Sequence, residues 1–569
     1  MLNSKRWELH PIMTEADRRA LSRWHDEPVV QQLFFNRQIY TVDDAIAYVK
    51  GQVTFSTHAL DLKDVDVAVA RLLTALDQHH PIAIYGDYDA DGITATALLL
   101  EVLGAYDADV RPYIPDRFEE GYGLNTDALT RLQAEGVKLV ITVDCGIRSP
   151  DEVAHGNTLG LDLIVTDHHH LGEVLPPALA VINPKREDSP YEEKMLAGVG
   201  VAFKLAEALI AARPPIKPFD LDSVLDLVAL GSVADLAPLR GENRSLVKRG
   251  LKQLEQHIAR PGLRALCQVA SVRPPITAGN IGFQIGPRLN AAGRLDSALA
   301  AVQLLTTHDP DEAERLAHLL HTHNQDRQTL TKDTATLAAE LADAERGDRY
   351  ILIAAHPNFH EGVVGLAASR LQERYYRPAL VATLKEDGTV KGSARSINEF
   401  HITEALDQCA DLLLRHGGHA VAAGYTVAQE NWPTLVARLN HLATQQLAGL
   451  DLKPRLMVDL EVALADLTPR LADQLTYFEP TGYGNRQPVF MSRNVNVLSR
   501  KVMGQDGLHL KLIVAQNGSR PIEVIAFRWG EFVDDIPTRV DLAYTLEINN
   551  WQGKQSLQLN LKDLRPASG

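Results

Sequence analysis

Four apolar runs, each closed by an acid or by an acid with histidines, constrain the fold of this chain more than any other feature. Ile82-Ala83-Ile84-Tyr85 leads into Gly86-Asp87-Tyr88-Asp89-Ala90-Asp91-Gly92, and Leu139 to Val143 ends in Asp144-Cys145-Gly146. Leu163-Ile164-Val165-Thr166 ends in Asp167-His168-His169-His170, and the run from Leu225 to Val233 closes on Asp235. Short apolar runs bounded by glycine and polar residues, with helical stretches between them, read as strands of a parallel sheet. The carboxyl ends of such strands form one crevice, so these acids are expected to converge. Alternation along Asp87, Asp89 and Asp91 would aim all three to one side if that segment stays extended.

Carboxylates packed together repel one another unless a cation intervenes. Any single Asp here is better explained as a helix cap or a strand end. Four such sites together point to metal. Carboxylate oxygens with one or two imidazoles, and no thiolate motif, suit Mn²⁺ or Mg²⁺ better than zinc or copper. The candidate ligands exceed the needs of one ion, so two ions are expected, the usual apparatus for in-line attack on phosphorus.

These residues also resemble a known family. The four segments, the last being Val233-Ala234-Asp235-Leu236-Ala237-Pro238-Leu239, are similar to the four motifs of the DHH phosphoesterase superfamily. The similarity extends to its RecJ branch, single-strand-specific 5′-to-3′ DNA exonucleases, through Tyr113 to Gly123, Leu196-Ala197-Gly198-Val199-Gly200 to Lys204, Gly286 to Leu295, and His360 to Gly365. Gly392 to Ser396 and Gly417-Gly418-His419 resemble the companion DHHA1 domain. The resemblance implies metal ligands at Asp89, Asp91, Asp144, His168 and Asp235, with Asp87 and His169 close by. Many members carry a His where Tyr85 stands, and a phenol is a poor divalent ligand at neutral pH. Either Asp87 supplies the missing ligand or the first ion binds more weakly. Within the resembling segments, Arg117, Tyr122, Arg288, Asn290, Arg294, His360, Ser393, Arg395, Gly417, Gly418 and His419 are candidates for gripping substrate. The resemblance further implies that Arg117, Ser393 and Arg395 anchor the 5′ end. Arginine can clasp two phosphate oxygens in parallel, although a surface ion pair explains any one of these arginines alone.

With 569 residues, the chain is expected to divide into several domains. The expected order is an N-terminal extension (1–45), a parallel-sheet α/β catalytic domain (46–308), a long connecting helix (309–348), a second α/β domain (349–450) and a small all-β domain (454–569). The helix follows from a stretch rich in Ala, Leu, Glu and Gln with no Gly or Pro between Pro310 and Gly347. In the tail, alternating runs such as His509 to Val514 and Ile522 to Phe527 suggest an OB-fold-like barrel, a common single-strand platform. His509, Lys511, Phe527, Trp529, Tyr544 and Trp551 are its candidate stacking positions, with half or more of the aromatics expected in the core.

The net charge of −16 fits a protein that coats duplex less well than an enzyme that holds one strand end in a local basic channel, and composition alone favours a small phosphorylated substrate. No apolar run approaches eighteen residues, Met1 to Trp7 opens no signal peptide, and Cys145, Cys267 and Cys409 show no pairing or zinc spacing. A cytoplasmic monomer is expected, with no membrane contact. The expected activity is metal-dependent hydrolysis of single-stranded DNA to 5′-mononucleotides in repair and recombination. A single-strand-binding protein and a helicase fit as partners, without a visible docking motif. The competing readings are a DHH-type phosphodiesterase for short oligoribonucleotides or small phosphoanhydrides, and a non-catalytic replication factor on the same scaffold.

Overall fold

The computed structural model describes residues 5–117, 120–121, 123–295, 297–345, 349–504, 506–551 and 554–567. Tyr122 lies outside the described residues, as does the side chain of Trp551. The described chain forms two compact units, the first within Met1–Asn290, Ser297–Ala317 and Arg455–Gly569, the second within Ala291–Asp296 and His318–Pro454. The helix Pro310–Glu345, 36 residues long, carries the chain from the first unit to the second.

In the first unit, five parallel strands lie in the order Val110–Tyr113, Ile82–Gly86, Leu139–Val143, Asp162–Thr166 and Ala180–Ile182. The two central strands, Ile82–Gly86 and Leu139–Val143, are buried throughout, which is why they read as unbroken apolar runs rather than alternating ones. Their register matters for function. Gly86 pairs with Val143 and Val143 with Thr166, so three strands stop at one level. The residues that follow, Asp87, Asp144 and Asp167, therefore start from the same edge.

Two sequence expectations fail here. The run from Leu225 to Val233 is not a strand but part of the helix Leu225–Ala234, and Asp235 is its C-cap. A ten-residue run apolar on every side suits a fully buried helix as well as a strand, and length argues for the helix. Gly231 lets it approach its neighbours, since a Cβ there would sit 2.3 Å from Thr94 Oγ1. The Asp87–Asp91 segment is likewise not extended. The helix Ala90–Ala105 begins at once, with Asp89 as N-cap accepting from the Asp91 and Gly92 N–H groups. Gly92 is required by this tight turn, because a Cβ would lie 2.5 Å from the Asp87 carbonyl oxygen.

The C-terminal strands close into a barrel. Phe490–Met503 pairs with both His509–Ala515 and Arg539–Trp551, while Ile522–Ala526 runs parallel to Lys554–Pro566, itself paired with Arg539–Trp551. Residues 5–45 are not a loose extension. Arg6–Leu9 pairs with Arg455–Val458, and Leu33 and Phe34 share a core with barrel residues such as Phe490 and Leu542.

A buried cation helps fasten the barrel side of the first unit to the sheet side. Arg244, on the helix Gly241–Gln253, donates to the carbonyls of Tyr477, Glu479 and Pro480 at 3.2, 2.7 and 3.2 Å. Its guanidinium also lies 3.9 Å over the Tyr48 ring. Arg244→Ala would strand several buried carbonyls, and we expect a loss of about 3 kcal/mol or more, read as a lower thermal midpoint. An unchanged midpoint would show that water replaces the guanidinium at no cost.

The second unit holds a mixed sheet in the order Leu413–His419, Ala422–Ala428, Thr389–Arg395, Ala379–Leu384, Leu352–His356. Its helices include Glu361–Tyr375 and Trp432–Leu447. No described helix is long and apolar enough to cross a membrane.

Candidate active site

Four segments distant in sequence deliver seven side chains to the carboxyl edge of the parallel sheet. They form three overlapping groups: Asp87, Asp89 and Asp144; Asp91, His168 and Asp235; and Asp144, His168 and His169. In each group one donor atom per residue lies within 4.8 Å of the others. His168 Nε2 stands 3.0 Å from Asp144 Oδ1, 3.7 Å from Asp91 Oδ2 and 3.8 Å from Asp235 Oδ2. Asp144 occupies left-handed backbone, φ +62°, which Asp tolerates better than most residues and which turns its side chain sharply off the strand.

The local structure explains how these acids are held. Asp91 is fully buried and accepts from the N–H groups of Gly198 and Val199 at 2.7 and 2.9 Å, where the helix Gly198–Ala212 begins. A carboxylate is favoured at that positive helix end. Gly198 is needed for it, since a Cβ would come within 2.9 Å of both Asp91 Oδ2 and Asp144 Oδ1. Asp167 accepts from the Ile147, His168 and His169 N–H groups and from His169 Nδ1 at 2.8 Å, which fixes the His169 ring.

The electrostatics are those of crowded acids. Burial, then the charge of Asp89, lifts Asp91 to about 7. Burial, then Asp91 and Asp89, lifts Asp235 to about 9. Asp87 and Asp144 are pushed well up for the same reasons. Burial, then the neighbouring His169, pushes His168 down to about 3, leaving its ring neutral and able to donate a lone pair. Burial opposes a charge on His169, but Asp167 outweighs it and raises this ring to about 9. Asp87 Oδ1, Asp144 Oδ1 and His168 Nε2 are buried and make no well-aligned hydrogen bond, although the last two stand 3.0 Å apart. Buried polar atoms are rarely left so, and these are the donor types a hard divalent cation takes. The residues fit a metal.

The remaining candidates are placed as follows. Tyr85 is buried, its hydroxyl committed to the Gly123 carbonyl at 3.1 Å, whereas Asp87 stands with Asp89 and Asp144 in the first donor group. Arg117 lies 5.0 Å over the Tyr88 ring. Asn290 Oδ1 accepts from the Ala90 N–H at 2.7 Å, so it props the first acidic turn. Arg288 donates to the Gln284 carbonyl at 2.6 Å. In the second unit, Arg294 donates to the Gly362 carbonyl, and His360 caps the helix Glu361–Tyr375 through the Gly362 N–H. Ser393 and Arg395 share a strand and pack on Gly365, where a Cβ would be 3.0 Å from an Arg395 terminal nitrogen. Gly417, Gly418 and His419 lie on the exposed edge strand Leu413–His419, separated from the Ser393 strand by Ala422–Ala428, and a Cβ on Gly418 would strike the Ala422 carbonyl at 2.3 Å.

Two contributors had no role assigned from sequence. Gly198 sat in a quoted motif with nothing to single it out. Lys185, whose ammonium bonds the His168 carbonyl and faces Asp167 and Asp235, carries no pattern at all. On the barrel, Tyr544 is buried and bonded to Ser492, so it is no stacking surface, whereas Trp529 is partly buried against the core. Lys511 is paired with Glu523. Phe527 is exposed, with His509 edge-on at 5.3 Å.

Comparison with known proteins agrees with this geometry. Family models match at residues 81–232 (DHH family, N-terminal domain), 347–445 (DHHA1 domain) and 458–563 (RecJ OB domain). The single-stranded-DNA-specific exonuclease RecJ of Salmonella typhimurium is 37% identical over 573 residues, covering 97% of this chain and 98% of that protein. The chain belongs to the RecJ family. The Bacillus subtilis RecJ exonuclease is also 37% identical, over 99% of this chain and 71% of its own length. A crystal structure of Thermus thermophilus RecJ in complex with Mn²⁺ superposes with a TM-score of 0.85 at 32% identity, covering 99% of this chain and 80% of that one. A second RecJ structure, bound to manganese, gives 0.60 at 38% identity over 69% of this chain and 98% of that one. The fold is thus a parallel-sheet DHH domain, a second α/β DHHA1 domain and an OB-type barrel, as the RecJ resemblance implied.

Proposed function

We propose that this chain is a metal-dependent exonuclease that hydrolyses single-stranded DNA from its 5′ end to 5′-mononucleotides, in DNA repair and recombination. The observation that carries this reading is the meeting of Asp87, Asp89, Asp91, Asp144, His168 and Asp235 around buried donor atoms that make no well-aligned hydrogen bond. These six would hold Mn²⁺ or Mg²⁺, in keeping with relatives solved with either ion. A bound pair supplies a coordinated water of lowered pKa and neutralises charge on phosphoryl oxygens.

The chain's own groups do the rest. Asp167 holds His169 in one orientation, and the protonated ring can donate to a phosphoryl oxygen as charge builds there. In the first unit, Arg117 and Arg288 would supply donors suited to phosphate, with Tyr122 and Asn290 in support. In the second unit, Ser393, Arg395 and His419 offer a donor set of their own, with Arg294, His360, Gly417 and Gly418 in support. We take the chain to act as a monomer on strands opened by a helicase and held by a single-strand-binding protein.

End-labelled single and double strands, DNA and RNA, incubated with Mn²⁺, Mg²⁺ or chelator, test this reading. We expect mononucleotides released from the 5′ end of single-stranded DNA, and none with chelator. Equal attack on duplex, internal cuts, or indifference to chelator would overturn it.

A further inference from the structure

The loop that carries Asp235 runs on into a cleft of about 460 Å³ for which none of the roles above accounts. Pro238 and Arg240 form one side of it, and the turn Gly482-Tyr483-Gly484-Asn485 with Arg486 forms another. All of these residues lie in the first unit. Its volume falls in the range of small-molecule sites.

The turn is held rigidly. Tyr483 accepts the Leu239 N–H on its carbonyl at 2.8 Å, and Arg240 Nε donates to the Gly484 carbonyl at 2.5 Å. Gly484 has φ +73°, and a Cβ there would lie 2.9 Å from the Pro238 Cβ. The Asn485 side chain donates at 2.8 Å to the carbonyls of both Phe478 and Pro480, and accepts from Tyr48 and Arg37. On this fixed backbone the Tyr483 side chain is left in water, the residue being 59% exposed. A large ring presented on a rigid turn costs little further entropy to stack upon.

The charge around that ring is positive, on a chain whose net charge is −16. Arg37, Arg240 and Arg486 line the cleft against one acid, Asp459. That acid is already committed to the Val489 N–H, the Asn36 amide and an ion pair with Arg37 at 3.7 Å. Arg240 uses one of its five donors on Gly484, and Arg486 is exposed at the rim. An aromatic face beside two arginines suits a planar base carrying a phosphate.

We propose that this cleft is a nucleotide-binding subsite apart from the metal centre. It takes one nucleotide with its base on the Tyr483 ring and its phosphate on Arg240 and Arg486. The inference rests on the single-strand reading above, and the nucleotide comes either from the strand being degraded or from free mononucleotide. Bound there, a strand would stay attached while its end is cleaved elsewhere.

Equilibrium binding to the full chain carrying Asp144→Asn, which silences cleavage, tests the proposal with (dT)20 and dTMP as probes. Tyr483→Ala should weaken (dT)20 binding about tenfold, and Tyr483→Phe should restore it. Arg486→Ala should lower the slope of log affinity against log salt by about one. Loss for (dT)20 alone assigns the cleft to the strand, and a parallel loss for dTMP extends it to free nucleotide. Unchanged affinity for both probes, failure of Tyr483→Phe to restore binding, or a lowered melting temperature in Tyr483→Ala overturns it. Absence of cleavage by the unmodified chain would instead overturn the exonuclease reading, because this binding measurement does not depend on turnover.

Discussion

Asp144→Ala should reduce hydrolysis of single-stranded DNA by about 10³-fold or more, since ligand loss removes several kcal/mol of transition-state charge stabilisation. Asp144 belongs to two of the three donor groups and approaches both His168 and His169, so its loss touches more of the centre than loss of an acid in one group. The same change should not destabilise the metal-free protein much. Burial and four neighbouring aspartates already penalise this carboxylate, and removing it relieves that repulsion. Alanine at φ +62° works the other way by about 1 kcal/mol. Asp144→Asn separates the two effects, because Asn tolerates left-handed backbone and lacks only the charge. We therefore expect both variants to be inactive, with the metal-free Asn protein melting at or above the unmodified one. Retention of more than about a tenth of the activity by either variant would remove Asp144 from the centre.

Metal should stabilise the protein more strongly as pH rises. Asp91 and Asp235 have folded-state values of about 7 and 9, above their unfolded values, so the folded metal-free chain keeps protons that the unfolded chain has lost. Their contribution is full below about pH 4 and is lost as pH rises through 7 and 9. His169, raised to about 9, contributes in the same sense, and its part is lost between about pH 6.5 and 9. His168 has the opposite sign. Depressed to about 3, it contributes fully above about pH 6.5 and loses that contribution as pH falls toward 3. Above pH 6.5 every one of these changes except the already complete His168 term therefore weakens the metal-free fold. A cation that binds the carboxylates must displace their protons, and each proton released raises affinity about tenfold per pH unit, about 1.4 kcal/mol. The gap between melting temperatures with Mn²⁺ or Mg²⁺ and with chelator should widen from pH 6.5 to 8.5. A gap that stays constant would mean the crowded acids are not where the ion binds.

The legibility of the centre varied with the kind of signal. Runs such as Leu139–Val143 could be recognised because a strand buried on both faces leaves an unbroken apolar stretch, and the acid after it marks the sheet edge. The Leu225–Ala234 run gave the same local signal and is a helix, because burial on all sides erases the periodicity that would tell the two apart. Asp235 still reaches the centre, from a helix end rather than a strand end. On the barrel, alternation located strands, yet Phe527 and Tyr544 could not be told apart by it, and one is exposed while the other is sealed in the core.

The order and chemistry of the acids, the oxygen-rich donor set and the strand pattern that aligns three of them were settled by the amino-acid sequence alone, because residue type and periodicity are local properties. Only the tertiary structure decided that Asp91 is held by the Gly198 helix end, that Asp167 aligns His169, and that Tyr483 stands in water on a cleft it shares with Arg240. Those facts depend on which distant segments meet, and a contact between residues separated by tens or hundreds of positions leaves no mark in the spacing of either one.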